Sequence, residues 1–573
     1  MILQALAKLY DDLLNIGAIP LPGWSQIKVG FALCIDENGE VTQIVPQVRT
    51  VERKNKTVTE NRTMELPAAV KRSSGIQSNF LWDNSTYILG VDEKGKADRS
   101  RDCFNACKQL HKEIIGTLQG REAKAILSFF EKWDPGKAGE NPIVAEVKEE
   151  LYKGPNLVFM VNGVFAHEVP ELREAWTRHY EQADGETIQC LINGENDVLE
   201  RVHPAIKGVR NAQSSGAALV SFNADSFCSF NREQGANAPI GKKAAFAYTS
   251  ALNHLLAEKN DVQFVGDTTV VCWADGAKPQ YRALSSASLF GQAPPAGMTE
   301  DELRAAVKRL ANGLPCPEYD LSPDTVFYIL GLAPNAARIS VRFFYRNSFG
   351  ALMKNVNDHY ERLRIEGERS DTLPLWALLR ETVNPSASDK TPSPVLSGAV
   401  TRAVLEGTRY PAALLEAVTL RIRAERDIKS AKAAIIKAYY LKNQNPKVPK
   451  EVLTVSLNES STNIPYTLGR LFAVYEAAQE RANPGISATI RDKYFNAAAA
   501  TPAHIFPVLN NLYQHHIRKM DAKYRVFFDK QVGDLTGNLE ETLPNRLGLP
   551  EQGAFQLGYY HQKQKRFEKK ENN

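Results

Sequence analysis

Apolar positions at the start of the chain recur at helical spacing. Ile2, Leu6, Leu9 and Leu13 share one face, and Gly17 is placed to end the helix they predict. The period then drops to two. Val29, Phe31, Leu33 and Ile35 alternate as a strand does, and Asn38-Gly39 is a tight-turn signal before Val41 and Ile44, so a hairpin is expected. Residues 49–72 show no apolar period. They hold seven Lys/Arg against three Glu and read as a basic loop. The block 71–90, KRSSGIQSNFLWDNSTYILG, reads as a polar, glycine-containing turn feeding an aromatic-rich strand.

Further on, helical signals at 99–118, 121–133, 170–182 and 240–258 are interleaved with strand signals at 157–161, 187–192, 217–222 and 262–274. Strands at 324–332 and 338–345 flank a Pro334-Asn335 turn, and helices follow near 349–365 and 373–381. Residues 383–394, VNPSASDKTPSP, lack any core pattern and read as a linker. Beyond them the signals are almost purely helical: 396–406, 411–441, 464–482, 487–499 and 503–525, with a charged tail, HQKQKRFEKKENN, expected to fray. The fold class expected is α+β. A mixed α/β N-terminal body, divisible into lobes at 1–210 and 211–385, precedes an all-α basic bundle at 396–573.

Composition supports a folded, multidomain chain: 573 residues, 43% hydrophobic, 24% charged. The net charge of +4 hides an asymmetry. From Val395 onward there are 26 Lys+Arg and 17 Asp+Glu, a balance of +9, which leaves −5 for the rest. A basic module on a near-neutral body is what contact with a polyanion calls for, although a solvated basic surface gives the same count. Seven widely spaced cysteines, no signal-peptide pattern and no long apolar run lead to an expectation of reduced thiols and a cytoplasmic location.

Few constellations suggest chemistry. Gly235-Ala-Asn-Ala-Pro-Ile-Gly241-Lys242-Lys243 approaches a phosphate-binding loop. However, five residues rather than four separate the glycines, and Lys243 stands where a metal-binding hydroxyl is needed. Nucleotide hydrolysis is therefore not expected; Asn237, Lys242 and Lys243 are candidates for a nucleic-acid backbone contact. Cys103, Cys107 and His111 fall on one helix face, a spacing more typical of a buried core stripe than of a zinc site. No nuclease carboxylate cluster or nucleophile motif is present, so neither a catalytic residue, a cofactor nor a metal is assigned. Lys71, Arg72, Ser73, Ser74, Gln77 and Asn79 mix cations with small hydrogen-bonding side chains suited to a minor groove, or to a polar surface turn. In the expected helix 411–441, Arg426, Lys429 and Lys437 share a side with Arg423 close by, a stripe suited to a single-strand backbone.

Blocks spread over the chain carry a resemblance. MILQALAKLYDD, PGWSQIKV (22–29), KRSSGIQSNFLWDNSTYILG (71–90), GANAPIGKKAAFAYTSALNHLL (235–256), GDTTVVCWAD (266–275), FYILGLAPNAARISVRFF (327–344), IPYTLGRLFAVYEAAQ (464–479) and IRDKYFNAAAATP (490–502) resemble, in order, the large-subunit family of type I-C CRISPR complexes. The resemblance implies a non-enzymatic subunit of the guide-RNA assembly called Cascade. Such a subunit recognises the short motif flanking a target, helps unwind the duplex, stabilises the R-loop and supports recruitment of a helicase-nuclease. It implies as partners the CRISPR guide RNA, target double-stranded DNA with its displaced single strand, and the backbone, guide-end-processing and small subunits. It also implies a C-terminal bundle resembling the small subunit. By position in the matching block, Lys71, Arg72, Gln77 and Asn79 become the candidates for flank recognition. The competing readings are a purely architectural subunit and a nucleotide- or DNA-hydrolysing enzyme.

Overall fold

The computed structural model describes residues 1–567 apart from 54–55, 71–74, 93–96, 183–184, 260, 368–372, 538 and 540–541. The fold is α+β, 50% helix and 16% strand, with sheets in the N-terminal half and helices towards the C-terminus. The chain divides into two compact units, Met1–Pro204 with Val220–Ala251, and Ala205–Leu219 with Leu252–Asn573.

In the first unit, Phe31–Ile35 lies parallel to Asn156–Val161, with Val41–Pro46 and Trp82–Asn84 antiparallel on either side and the short Val164–Phe165 also pairing with Asn156–Val161. A parallel pair needs a long crossover. Here the crossover carries the helices Ala97–Ile115 and Arg121–Lys132. Successive strand residues point to opposite faces. Leu33, Ile35, Leu157 and Phe159 accordingly pack with Phe129 and Phe130 from the second of those helices. Ala32, Val158 and Trp82 point the other way, to Val29, Met64 and Leu66 of a second sheet. Burial on both faces explains the unbroken apolar run Leu157–Val161.

That second sheet corrects one expectation. Most of the stretch expected as a loop at 49–72 is strand: Val48–Arg53 and Lys56–Pro67 form an antiparallel hairpin, and the far half of the longer strand pairs with Trp24–Val29. Thr50, Val51, Thr57, Val58, Thr59 and Thr63 are β-branched, which favours strands even where no face is apolar.

The second unit is built on an antiparallel meander, Gln263–Val265, Thr268–Ala274, Val326–Asn335 and Arg338–Ser348. Its core is continuous. Val270, Cys272 and Ile329 of the sheet, Leu375 and Leu378 before residues 383–394, and Leu396, Val400 and Tyr466 after them belong to one buried cluster. The expected strand at 217–222 reduces to isolated bridges, Ala217 to Ile206 and Ala218 to Arg338.

At the centre of the helical region, Ile464–Ala482 crosses Leu549–Lys565, a helix the sequence pattern did not announce and one that extends into the tail expected to fray. Each contributes a glycine at the crossing. A Cβ on Gly469 would meet the Phe555 carbonyl oxygen at 2.0 Å, and one on Gly558 the Tyr466 carbonyl oxygen at 2.0 Å. Residues from Gln552 to His561 are buried all round, so no amphipathic period exists to reveal the helix.

The expected helix 411–441 is two helices, Ala412–Glu425 and Ser430–Asn443. Arg426 ends the first in a left-handed conformation (φ 53°) and Lys429 is extended. Buried Ile428 anchors the turn, and Asp427 pairs with Arg491 at 3.2 Å. The expected helix 503–525 likewise breaks, into Pro502–Ile517 and Ala522–Thr536, with Asp521 extended before the second.

Candidate nucleic-acid interface

The basic hairpin is held at its root by backbone bonds. Gln47 N donates to Gly30 O at 2.7 Å, and Arg62 N donates to Gln47 O at 2.8 Å. From there the register runs Arg49 opposite Glu60, Thr50 opposite Thr59 and Val51 opposite Val58. Arg49, Arg53 and Lys56 thus lie along a two-stranded ribbon, an element narrow enough to enter a major groove, and Arg62 stands at its root, opposite Val29. The cation count of this stretch was legible in the sequence; its ribbon shape was signalled only by the Thr/Val alternation.

Lys71, Arg72, Ser73 and Ser74 lie outside the described residues. Gln77, three residues on, is exposed. Asn79 is 4% exposed and works inward: its Oδ1 accepts from Val70 N at 2.9 Å, and its own N donates to Asp83 Oδ2 at 2.8 Å. Trp82 Nε1 donates to Pro67 O at 2.7 Å. These bonds fasten both ends of the 68–78 segment to the first unit's core. Asn79 therefore braces the base of this segment, with its side-chain oxygen already engaged. Next to it, Leu81 N donates to His111 Nε2 at 3.0 Å, and His111 Nδ1 donates to Cys107 O at 2.8 Å. Burial drives the His111 pKa down to about 4. Cys103, Cys107 and His111 are core residues, the placement expected from the stripe. Among the described residues, no three His, Cys, Asp or Glu side chains are grouped to hold a metal ion.

The Gly235–Lys243 segment is occupied by its own neighbours. Asn237 Oδ1 accepts from Ser229 N at 2.8 Å, and its Nδ2 donates to Arg232 O and Gln234 O at 2.9 and 3.1 Å. Lys242 is half-buried. Its Nζ donates to Tyr180 O at 3.0 Å and lies 3.8 Å from the Tyr180 ring centroid, and burial lowers its pKa against the pull of Glu200 and Asp197. Lys243 pairs with Glu181 at 3.3 Å. Asp197 Oδ2 accepts from Lys243 N at 2.9 Å, at the start of the helix Lys242–Ala257. A Cβ on Gly241 would lie 2.4 Å from that carboxylate oxygen, so only glycine lets it approach. The position where a phosphate would sit on the helix end is thus filled by a side-chain carboxylate.

In the second unit the four C-terminal candidates do not form one stripe, because the helix that would align them is broken at Arg426. Arg423 is exposed and donates to Gln552 Oε1 at 2.6 Å. Arg426 donates to the Asp492 carbonyl. Lys429 is exposed. Lys437 is 2% exposed, donates to Arg362 O at 2.8 Å, and has its pKa lowered to about 8, first by burial and then by Arg364. Lys437 is a core residue here. No described helix is long and apolar enough to cross a membrane.

Comparison with known proteins bears on the whole chain. The family described as CRISPR-associated protein (Cas_Csd1) matches residues 6–567. No curated protein matches the chain.

Proposed function

The chain belongs to the CRISPR-associated Cas_Csd1 family, that of type I-C Cascade large subunits, and from that premise we propose that it recognises the flanking motif of target DNA and helps open the duplex for the guide RNA. The observation that carries the reading is the family match from residue 6 to residue 567. Two features support it. The basic ribbon Val48–Pro67 stands immediately before the Lys71–Asn79 block, and Asn79 braces the segment between them. Cations on a paired ribbon track phosphates and set the register in which neighbouring groups meet base edges. Lys71, Arg72 and Gln77 are the groups proposed to touch the flank. Displaced single strand is held by exposed cations of the helical region, Arg423, Arg426 and Lys429 among them, and a helicase-nuclease is recruited once the R-loop has formed. The subunit itself performs no covalent chemistry: with Lys242 tied to Tyr180 and the adjacent helix end capped by Asp197, the nearest match to a phosphate loop supports no hydrolytic role.

The test uses the assembled complex. Lys71→Ala with Arg72→Ala is expected to weaken binding of flank-bearing duplex and to make the log-affinity against log-salt slope shallower by about 1.8, from two lost phosphate contacts. Unchanged affinity and slope remove these residues from recognition.

A further inference from the structure

The second unit contains a basic cluster with the opposite character to the Gly235–Lys243 segment. A cavity of about 450 Å³ opens beside the short helix Leu375–Arg380, lined by Trp376, Arg380, Lys390 and Lys429 among others. Its volume is in the range of small-ligand sites. Two carboxylates, Glu381 and Glu425, also reach it, and the fold neutralises both from within. Arg421 Nη2 donates to Glu425 Oε1 at 2.7 Å, and Lys432, 3% exposed at its side chain, pairs with Glu425 Oε2 and lies 3.9 Å from Glu381 Oε2. Burial raises the Glu381 pKa and Glu425 adds to it, with Lys432, Lys429 and Arg380 acting in the opposite direction.

Among the described residues, Arg380, Lys390 and Lys429 form no ion pair, and all three are exposed. The cavity lining therefore keeps three exposed cations outside any ion pair, although Arg380 and Lys429 also feel the Glu381 carboxylate. Beside them, Trp376 is 54% exposed, although the rest of its short helix buries Leu375, Leu378 and Leu379. An exposed indole next to unpaired cations has the two functions that a single-stranded polynucleotide needs: a face for a base to stack on and charges for the flanking phosphates. A free anion would use the cations and leave the indole idle; an apolar peptide would use the indole and leave the cations unpaired.

We propose that this cavity is a socket for one unpaired nucleotide, its base stacked on Trp376 and its phosphates held by Arg380, Lys390 and Lys429. The site lies mostly outside the residues the sequence pointed to; only Lys429 was among them. It rests on the reading that this chain grips opened DNA, and adds where and how a strand is held.

The test uses the full chain with a short fluorescein-labelled oligothymidylate at low salt. Trp376→Ala is expected to weaken binding about tenfold, within the range of one lost base stack, and Trp376→Phe to retain most of the affinity. Tryptophan emission should fall when oligothymidylate is added to the wild type, and fall less in Trp376→Phe. Because the indole is largely exposed, thermal melts of these variants should overlay the wild type. Should Trp376→Ala melt early, Arg380→Ala with Lys429→Ala must show the loss instead. Wild-type affinity in Trp376→Ala, or equal quenching in Trp376→Phe, overturns the socket. Loss of complex assembly with oligothymidylate binding intact also overturns it, and assigns the cavity to an acidic segment of a protein partner. Flank preference of the assembled complex, measured in parallel, separates the two ideas. If it survives while the oligothymidylate result fails, the socket falls alone; if it is absent while Trp376→Ala weakens binding, flank recognition falls and the socket stands.

Discussion

The Gly235–Lys243 segment and the Trp376 cavity are both basic, but they use their charge differently. In the first, Lys242 lies on Tyr180, Lys243 pairs with Glu181, and the helix end is capped by Asp197. In the second, the carboxylates are matched first by Arg421 and Lys432, and Arg380, Lys390 and Lys429 stay exposed and outside any ion pair among the described residues, with Arg380 and Lys429 only sharing the field of Glu381. A run of cations in a sequence marks a polyanion site only if the fold does not bring carboxylates and aromatic rings to meet it. Glu181 and Asp197 lie 62 and 46 residues from Lys243, beyond the reach of any local pattern.

The largest effect that would break this contrast comes from the floor of the socket. Lys432→Met removes the buried ammonium that Glu425 and Glu381 share; because both carboxylates are part-exposed and Arg421 still pairs with Glu425, it should cost about 1–3 kcal/mol of stability, the usual loss of a hydrogen-bonded charged partner. Urea unfolding measures it. A loss below about 1 kcal/mol would mean that the floor charges are not held by Lys432.

Acid sets the window in which the two clusters can be compared at all. Burial holds His111 at about 4, His359 at about 3 and His561 at about 4, all below the ordinary value of 6.5. The unfolded chain therefore takes up protons first as the pH drops. Stability is full above about pH 6.5 and is lost as the pH falls towards about 4, each histidine contributing a slope of about 1.4 kcal/mol per pH unit. Chemical-denaturation midpoints between pH 7 and pH 5 check the sign, and a midpoint that rises on acidification contradicts it.

Asp197→Ala sharpens the contrast by freeing the helix end. Removing this carboxylate should cost about 1 kcal/mol of stability, as loss of a capping side chain does. It should also raise affinity for oligothymidylate at low salt by about twofold to fivefold, the worth of one anion at an exposed helix N-terminus. Unchanged or weaker binding would mean that Asp197 is not what excludes phosphate. The smallest effect is that of Lys243→Ala. Its exposed pair with Glu181 should contribute less than about 1 kcal/mol, and oligothymidylate affinity should stay within about twofold of wild type.

Legibility in the sequence followed physical lines. Elements with a clear period were found nearly in place: Ile2–Asn15 from its leucine stripe, Arg121–Lys132, and the paired strands around Pro334-Asn335. The ribbon at 48–67 was missed because its strand signal is β-branching without apolar alternation. The helix Leu549–Lys565 was missed because burial on every side erases the period. The split at Arg426 hinges on buried Ile428 and on Asp427 meeting Arg491, a contact 64 residues away. For the candidate site, residue type pointed to cations but not to their partners. Asn79 and Lys437 proved internal, whereas Trp376, Arg380 and Lys390 drew no notice because a tryptophan in a short apolar helix reads as core.

The most direct test of the account is the salt dependence of oligothymidylate binding by the full chain. The measurement compares wild type, Arg380→Ala/Lys390→Ala/Lys429→Ala and Lys242→Ala/Lys243→Ala. Three lost single-strand phosphate contacts predict a log-affinity against log-salt slope shallower by about 2 for the socket variant, with the loop variant retaining the wild-type slope. Equal slopes in wild type and socket variant, or a loss confined to the loop variant, would contradict the claim that exposed cations outside ion pairs are the ones that hold the strand.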